Sequence, residues 1–221
     1  MGPCVDMEIA IPLFDRFTML DAVGPYQVLG ALPDSRVRWL GPEPGPVRDE
    51  SHTATLMADE AWEDAPRPDI LVVPGGYGTR ALMKDERALD WLREAHRHSS
   101  YTTSVCTGSL WLAAAGILNG LEATSHWLEL ETLAQFGATP TSERVVEQGK
   151  VITAAGVSSG IDMALRLVEL LHGPEAAQAV QLGIEYDPQP PFDAGSPEKA
   201  PAPIVEAVRA AMTAQQDAIG T

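Results

Sequence analysis

The stretch Tyr101-Thr-Thr-Ser-Val-Cys-Thr-Gly-Ser-Leu110 constrains the fold of this chain more than any other. The run 101–105 is rich in strand formers, and a helix-forming run, 109–118, follows the cysteine at once. The chain must therefore turn from strand to helix at Cys106. Ser104-x-Cys106-x-Gly108 resembles a nucleophile elbow, where small residues flank the nucleophile because the turn is too tight for bulky ones. Amides and dipole at the start of a helix favour a thiolate over a thiol. An ordinary cysteine with a pKa near 8.5 is only about 3% ionised at pH 7, whereas a pKa of about 6 gives roughly 90%. A buried, inert cysteine is the alternative; the local sequence predicts the reactive one.

The rest of the chain alternates short apolar runs with helical ones. Residues 8–14, 36–40 and 69–74 read as strands, the last being the most hydrophobic and ending in Gly75-Gly-Tyr-Gly78. Residues 18–32 read as a loop entering a helix with Pro25 in or near its first turn. Residues 41–46 read as a rigid loop, and 53–57 as a short extra strand. Helices are predicted over 79–82, 86–98, 126–136, 163–171 and 175–182, with Gly120 closing the helix after the cysteine. A hairpin, or two strands, is predicted from 144–147 and 151–153, and a short strand at 122–124. Residues 186–203 are loaded with proline and read as an extended arm, followed by an amphipathic helix at 204–212 and a polar tail. Such alternation predicts one α/β domain, a mostly parallel sheet covered by helices on both faces. Sites in these folds lie at the carboxyl ends of the strands. That rule puts Asp21, Gly75-Gly76 and Cys106 on one rim.

Composition narrows the function classes. At 45% hydrophobic and 21% charged residues, the chain of 221 residues reads as an ordinary globular protein with ample core. A net charge of −16 with no cluster of Lys or Arg argues against nucleic acid. The longest apolar run is too short to span a bilayer, and the first residues lack a signal-peptide pattern, so a reducing cytoplasm is expected and no membrane. Cys4 and Cys106 make neither a disulfide framework nor a zinc spacing.

Several residues beyond Cys106 carry possible chemistry. Gly75 and Gly76 free backbone amides for close approach to a ligand, and with the Thr107 amide they would form an oxyanion hole; a plain tight turn is the alternative. Asp21, beyond an apolar strand, reads either as a desolvated proton donor or as a helix N-cap. Asp162, in Ser158-Ser-Gly-Ile-Asp162, carries the same two readings, and the helix-capping one is the expectation. His126 either pairs with Cys106 or is structural.

The pieces Leu20-Asp-x-x-Gly-Pro25, Pro74-Gly-Gly76, Thr103-Ser-Val-Cys-Thr-Gly-Ser-Leu110, Ala123-Thr-Ser-His-Trp127 and Gly160-Ile-Asp162 together resemble the ThiJ/PfpI superfamily. The match continues through 182–191 and Phe192-Asp-Ala-Gly-Ser-Pro197, so it spans nearly the whole chain. The glycine loop and elbow are shared by the superfamily. Asp21, Cys-Thr-Gly-Ser and the proline-rich arm narrow the resemblance to its isonitrile-hydratase branch, which also supplies ligand-binding domains to AraC-type regulators. No helix-turn-helix segment follows here, which weakens a regulator reading. Peptidase-like members carry His directly after the nucleophile, where this chain has Thr107.

The resemblance implies a flavodoxin-like three-layer sandwich over residues 1–221 and a small-molecule isonitrile substrate hydrated without metal or organic cofactor. It implies Cys106 as nucleophile through a thioimidate and Asp21 as general acid and base. Thr107 with the Gly75 and Gly76 amides would hold the water or the intermediate. Val157 stands where a slightly larger aliphatic residue is expected and would set pocket width, with His126 beside the substrate. A homodimer is implied as well. The rival expectations are a glyoxalase-like hydratase of 2-oxoaldehydes, a redox sensor built on Cys106, and a ligand-binding domain.

Overall fold

The structure is a computed structural model that describes residues 7–33, 35–65 and 67–219. In chain order, β1 (Met7–Pro12) leads through α1 (Met19–Leu29) to β2 (Ser35–Gly41). An antiparallel hairpin of β3 (Gly45–Arg48) and β4 (Thr55–Ala58) precedes the two-residue β5 (Glu60–Ala61) and β6 (Ile70–Val73). Helices α2 (Thr79–Leu82) and α3 (Glu86–His98) return the chain to β7 (Tyr101–Val105), which turns directly into α4 (Gly108–Ala114). Then come β8 (Glu122–Ala123), α5 (Leu130–Gln135), β9 (Thr139–Pro140), β10 (Val145–Gln148), β11 (Val151–Ala154), α6 (Ser159–His172) and α7 (Pro174–Gly183). These belong to a first compact unit that ends at Ile184; a second, Glu185–Thr221, contains α8 (Ala202–Ile219).

The sheet runs β10-β11-β7-β6-β1-β2-β5, parallel throughout except for the β10–β11 hairpin. All four residues of β6 are buried, as are those of β11, because a parallel sheet with both faces covered has no solvent side. The predicted flavodoxin-like sandwich is therefore the observed one. Helix α3 shows how a covering layer is specified: Ala88, Leu89, Trp91, Leu92 and Ala95 fall at helical spacing on its buried face. Asp85 caps its start by accepting from the amides of Arg87 (3.0 Å) and Ala88 (3.4 Å). Trp91 of that face stacks on Trp62 and Trp111, with centroids 5.8 and 6.1 Å away.

Local expectations fail where tertiary contacts override them. Pro25 is not in the first turn of α1 but well inside the helix, at its seventh residue. Its missing N–H releases the Asp21 carbonyl from the usual bond four residues on. Residues 45 and 46, read as the end of a rigid loop, instead open β3, because Thr55–Ala58, which overlaps the short strand expected at 53–57, pairs with it. Helix α4 stops at Ala114, where Gly116 takes φ +82°, before Gly120 is reached. The predicted helix at 126–136 begins as a 3-10 turn, Trp127–Glu129, with His126 as its cap. The polar tail after 212 continues α8 to Ile219. Among the described residues, no helix is long and apolar enough to cross a membrane.

Candidate active site

Cys106 is the pivot between β7 and α4. It adopts φ +56° and is 5% exposed. A left-handed conformation at a residue with a side chain costs about 1–3 kcal/mol and persists only where its surroundings fix it. Here they do. The Cys106 N–H donates to the carbonyls of Ala154 (3.1 Å) and Ala155 (2.8 Å) at the end of β11. Its carbonyl accepts from the hydroxyls of Ser109 and Ser125, each at 3.1 Å. Gly108 is needed two residues on, because a Cβ there would lie 2.2 Å from the Val73 carbonyl oxygen. The elbow thus leans directly on the end of β6.

Asp21, in the first turn of α1, is fully buried and faces the glycine loop after β6. It is not the N-cap, which is Thr18. The Gly75 N–H donates to Asp21 Oδ2 at 2.9 Å, and the Thr18 N–H donates to the Gly75 carbonyl at 2.8 Å. A Cβ on Gly75 would lie 2.6 Å from the Thr107 nitrogen and 2.8 Å from Asp21 Oδ2. Gly76 holds φ +134°; its N–H donates to Thr107 Oγ1 (2.8 Å), and that hydroxyl donates to the Gly76 carbonyl (3.1 Å). Both glycine amides are therefore committed, one to Asp21 and one to Thr107. The amides that stabilise charge on the Cys106 sulfur are those of Thr107 and Val157.

The pair Asp21 and Cys106 shares a buried site. Burial holds the Asp21 carboxyl well above the usual carboxylate range, against the opposing Gly75 hydrogen bond. Glu50 pushes it further up, and the Cys106 side chain, which interacts with it, pulls it down. Its Oδ1 is buried, with no oxygen or nitrogen partner among the described residues. Burial also pushes the Cys106 thiol well above its ordinary range, and the Asp21 charge adds to this, while the Thr107 and Val157 amides pull it down. This corrects the expectation of a thiolate made by the helix start. Helix α4 has only 7 residues, and its end cannot offset desolvation beside a carboxylate. Two adjacent anions are disfavoured, so the pair titrates as a unit holding at least one proton near neutral pH.

Other predicted residues fall around this pair. His126 makes no hydrogen bond to Cys106; its Nδ1 accepts from the Leu128 N–H at 3.4 Å, and burial lowers its pKa. Its ring stands against Gly156, 3.2 Å from where a Cβ would be, next to Val157. Asp162 does not cap α6, whose N-cap is Ser158, and pairs with Arg144. Glu50 carries no signal in the sequence. The fold brings it in through Phe17, whose carbonyl accepts from the Glu50 N–H at 2.9 Å and which also bridges to Gly76. Glu50 Oε2 accepts from the Thr18 hydroxyl at 2.9 Å. Tyr77 and Arg80 sit further out, the guanidinium 5.9 Å from the Tyr77 ring centroid, with Arg80 paired to the buried Glu129. On another face of α1, Leu20, Val23, Tyr26, Trp39, Leu56 and Ile161 border an apolar hollow of about 610 Å³.

The same elements recur in known proteins. The chain is 44% identical over 203 residues to the isonitrile hydratase of Pseudomonas putida, covering 92% of this chain and 89% of that one. It is 30% identical over 176 residues to the HTH-type transcriptional regulator CdhR of Pseudomonas aeruginosa, covering 78% of this chain and 52% of the regulator. A solved ThiJ/PfpI family protein from Pseudomonas syringae superposes with TM-score 0.90 at 37% identity, over 96% of this chain and 90% of that one. Drosophila melanogaster DJ-1beta superposes with TM-score 0.73 at 21% identity, over 81% of this chain and 97% of that one, a likeness of fold. Residues 7–170, from the first strand through the elbow and into α6, match the profile of the DJ-1/PfpI family, and with relatives this similar along most of its length the chain belongs to that family.

Proposed function

We propose that this protein is an isonitrile hydratase, converting R–NC and water to the N-substituted formamide, with Cys106 as nucleophile and Asp21 as general acid and base. One observation carries the reading. A buried carboxyl, held above the usual carboxylate range by desolvation, stands beside the buried Cys106 thiol at a strained elbow. The 44% identity to the Pseudomonas putida enzyme over most of both chains supports the substrate class.

The singly protonated pair is the reactive form. The sulfur adds to the terminal carbon of the isonitrile while the pair's proton, carried by Asp21, passes to the same carbon, giving the thioimidate R–N=CH–S–Cys106. Asp21 is now a carboxylate. It takes a proton from water as the hydroxyl adds to the carbon, and returns that proton to the nitrogen. Collapse of R–NH–CH(OH)–S–Cys106 forms the carbonyl, sends the hydroxyl proton to Asp21 and expels the thiolate, onto which the Thr107 and Val157 amides are aimed. The product is R–NH–CHO and the pair regains its starting proton. Splitting one difficult addition into two easier steps is the gain of covalent catalysis.

The glycine loop has a positioning task in this scheme, since its two amides hold Asp21 and Thr107. Val157 borders the sulfur through its own amide, so its side chain is suited to limit the width of R. The homodimer finds support in apolar surface: Leu20, Tyr26 and Met57 are 40%, 39% and 57% exposed around the hollow beside α1. The test is formamide production from an aryl isonitrile, followed by NMR, in wild type and Asp21→Asn. Turnover in wild type and loss of at least about 100-fold in the variant, with Cys106 still alkylated, agrees with general acid catalysis. Equal rates in both proteins reject it.

A further inference from the structure

Glu50 is a half-buried carboxylate that the hydration scheme does not use. Its backbone is pinned, because its N–H donates to the Phe17 carbonyl (2.9 Å) and Phe17 bridges to both Asp49 and Gly76. Its side chain is pinned too, Oε2 accepting from the Thr18 hydroxyl at 2.9 Å. Thr18 in turn bonds through its own N–H to the Gly75 carbonyl, and the Gly75 N–H holds Asp21. Three hydrogen bonds therefore separate Glu50 from the catalytic carboxyl.

The charges around Glu50 leave it uncompensated. Among the described residues, no Lys, Arg or His lies within 4.0 Å of its carboxylate. Asp49, its neighbour, is an anion held by the amides of Thr53 (2.9 Å) and Ala54 (3.0 Å). Arg80, whose guanidinium lies 5.9 Å from the Tyr77 ring centroid, is paired with Glu129. Burial lowers the pKa of His126. The field of Glu50 reaches Asp21, Cys106 and Tyr77 alike.

We infer that Glu50 is a charge filter at the reactive cysteine, so that the site takes neutral or cationic isonitriles and excludes those carrying a carboxylate or phosphate near the reacting carbon. The substrate class rests on the hydratase reading; the filter itself does not. A fixed charge beside a poorly solvated pocket acts over a distance comparable to the Debye length, about 8–10 Å at moderate salt, and weakens as salt rises.

The experiment uses alkylation of Cys106, read at the peptide level by mass spectrometry so that Cys4 is counted separately. Rates are measured with neutral iodoacetamide and anionic iodoacetate, each normalised to a free thiol. Both reagents meet the same sulfur, so their ratio cancels any change in thiolate population. Wild type is expected to prefer iodoacetamide by roughly tenfold beyond the free thiol at low salt. In Glu50→Gln, whose amide oxygen can still accept from Thr18, that preference falls at least about threefold; in the exposed control Glu43→Gln it stays. Raising salt from 20 to 500 mM shrinks the wild-type preference without any substitution. An unchanged ratio in Glu50→Gln, or a wild-type preference indifferent to salt, overturns the filter. Turnover of neutral benzyl isonitrile is measured in parallel. Its absence rejects the hydratase reading and leaves the filter to be judged by the alkylation ratios.

Discussion

Thr107→Val isolates the contact that locks the elbow to the glycine loop. Valine matches threonine in shape, so the change removes the hydroxyl and little else. The buried Gly76 N–H loses its 2.8 Å acceptor and the Gly76 carbonyl loses a 3.1 Å donor. Stranding a buried amide costs about 1–3 kcal/mol, and a lost hydrogen bond contributes a further 0.5–1.5 or so. The sum is about 2–4 kcal/mol of destabilisation, or roughly 4–16 °C in Tm for a domain of this size. Thr107→Ser keeps both bonds and gives up one buried methyl, about 1 kcal/mol. Urea unfolding of the three proteins, with formamide production from the same preparations, measures both consequences. Turnover falls in the valine variant because the amide beside the sulfur and the loop that holds Asp21 lose their common anchor. A Thr107→Val protein within about 0.5 kcal/mol of wild type, or a serine variant as damaged as the valine one, would refute the locking role.

Four further outcomes follow from the same geometry. Asp21 holds its proton more tightly in the folded chain than unfolded, where a carboxyl titrates near 3.9. Its contribution to stability is thus full below that pH and is lost as pH rises through the folded value, so Asp21→Asn gains on wild type by chemical denaturation as pH rises above about 4. For the same reason wild-type turnover rises with pH on the acid side as the pair loses its first proton, and a profile independent of pH between about 5 and 9 would contradict the coupled titration. Gly108→Ala places a methyl 2.2 Å from the Val73 carbonyl oxygen, so the protein unfolds at least about 2 kcal/mol more easily or is recovered insoluble; wild-type stability would show that the elbow has slack. Met57→Glu puts a charge on the exposed apolar rim beside α1 and shifts sedimentation of the proposed homodimer towards monomer, whereas an unchanged profile rejects that face as its interface.

The fold was legible because its signals are local and redundant. The runs that became β6 and β7 are strongly strand-forming, and the switch to a helix after Cys106 leaves room for little but a sharp turn. The strand-end rule then placed Asp21, Gly75-Gly76 and Cys106 on one rim, and the hydrogen bonds among Asp21, Gly75, Gly76 and Thr107 agree. What escaped depends on partners distant in sequence. Residues 45–48 become a strand only because Thr55–Ala58 lies opposite, and Pro25 sits inside α1 because packing, not propensity, fixes where that helix starts. Glu50 reaches the site through Phe17, 33 residues earlier, and no local pattern marks it. The sign of the Cys106 shift was misjudged for a related reason. A helix start can be read from sequence, but the desolvation and the neighbouring Asp21 that outweigh it arise from three segments meeting.

The central claim is that the isonitrile carbon becomes bonded to Cys106 before water arrives. Wild-type protein mixed with excess aryl isonitrile, quenched with acid within milliseconds to seconds and weighed by intact mass spectrometry, tests it directly. The account predicts an adduct on the Cys106 peptide equal to the full mass of the isonitrile, decaying as formamide accumulates, and neither adduct nor formamide with Cys106→Ala. Formamide formed at the wild-type rate by Cys106→Ala would contradict it.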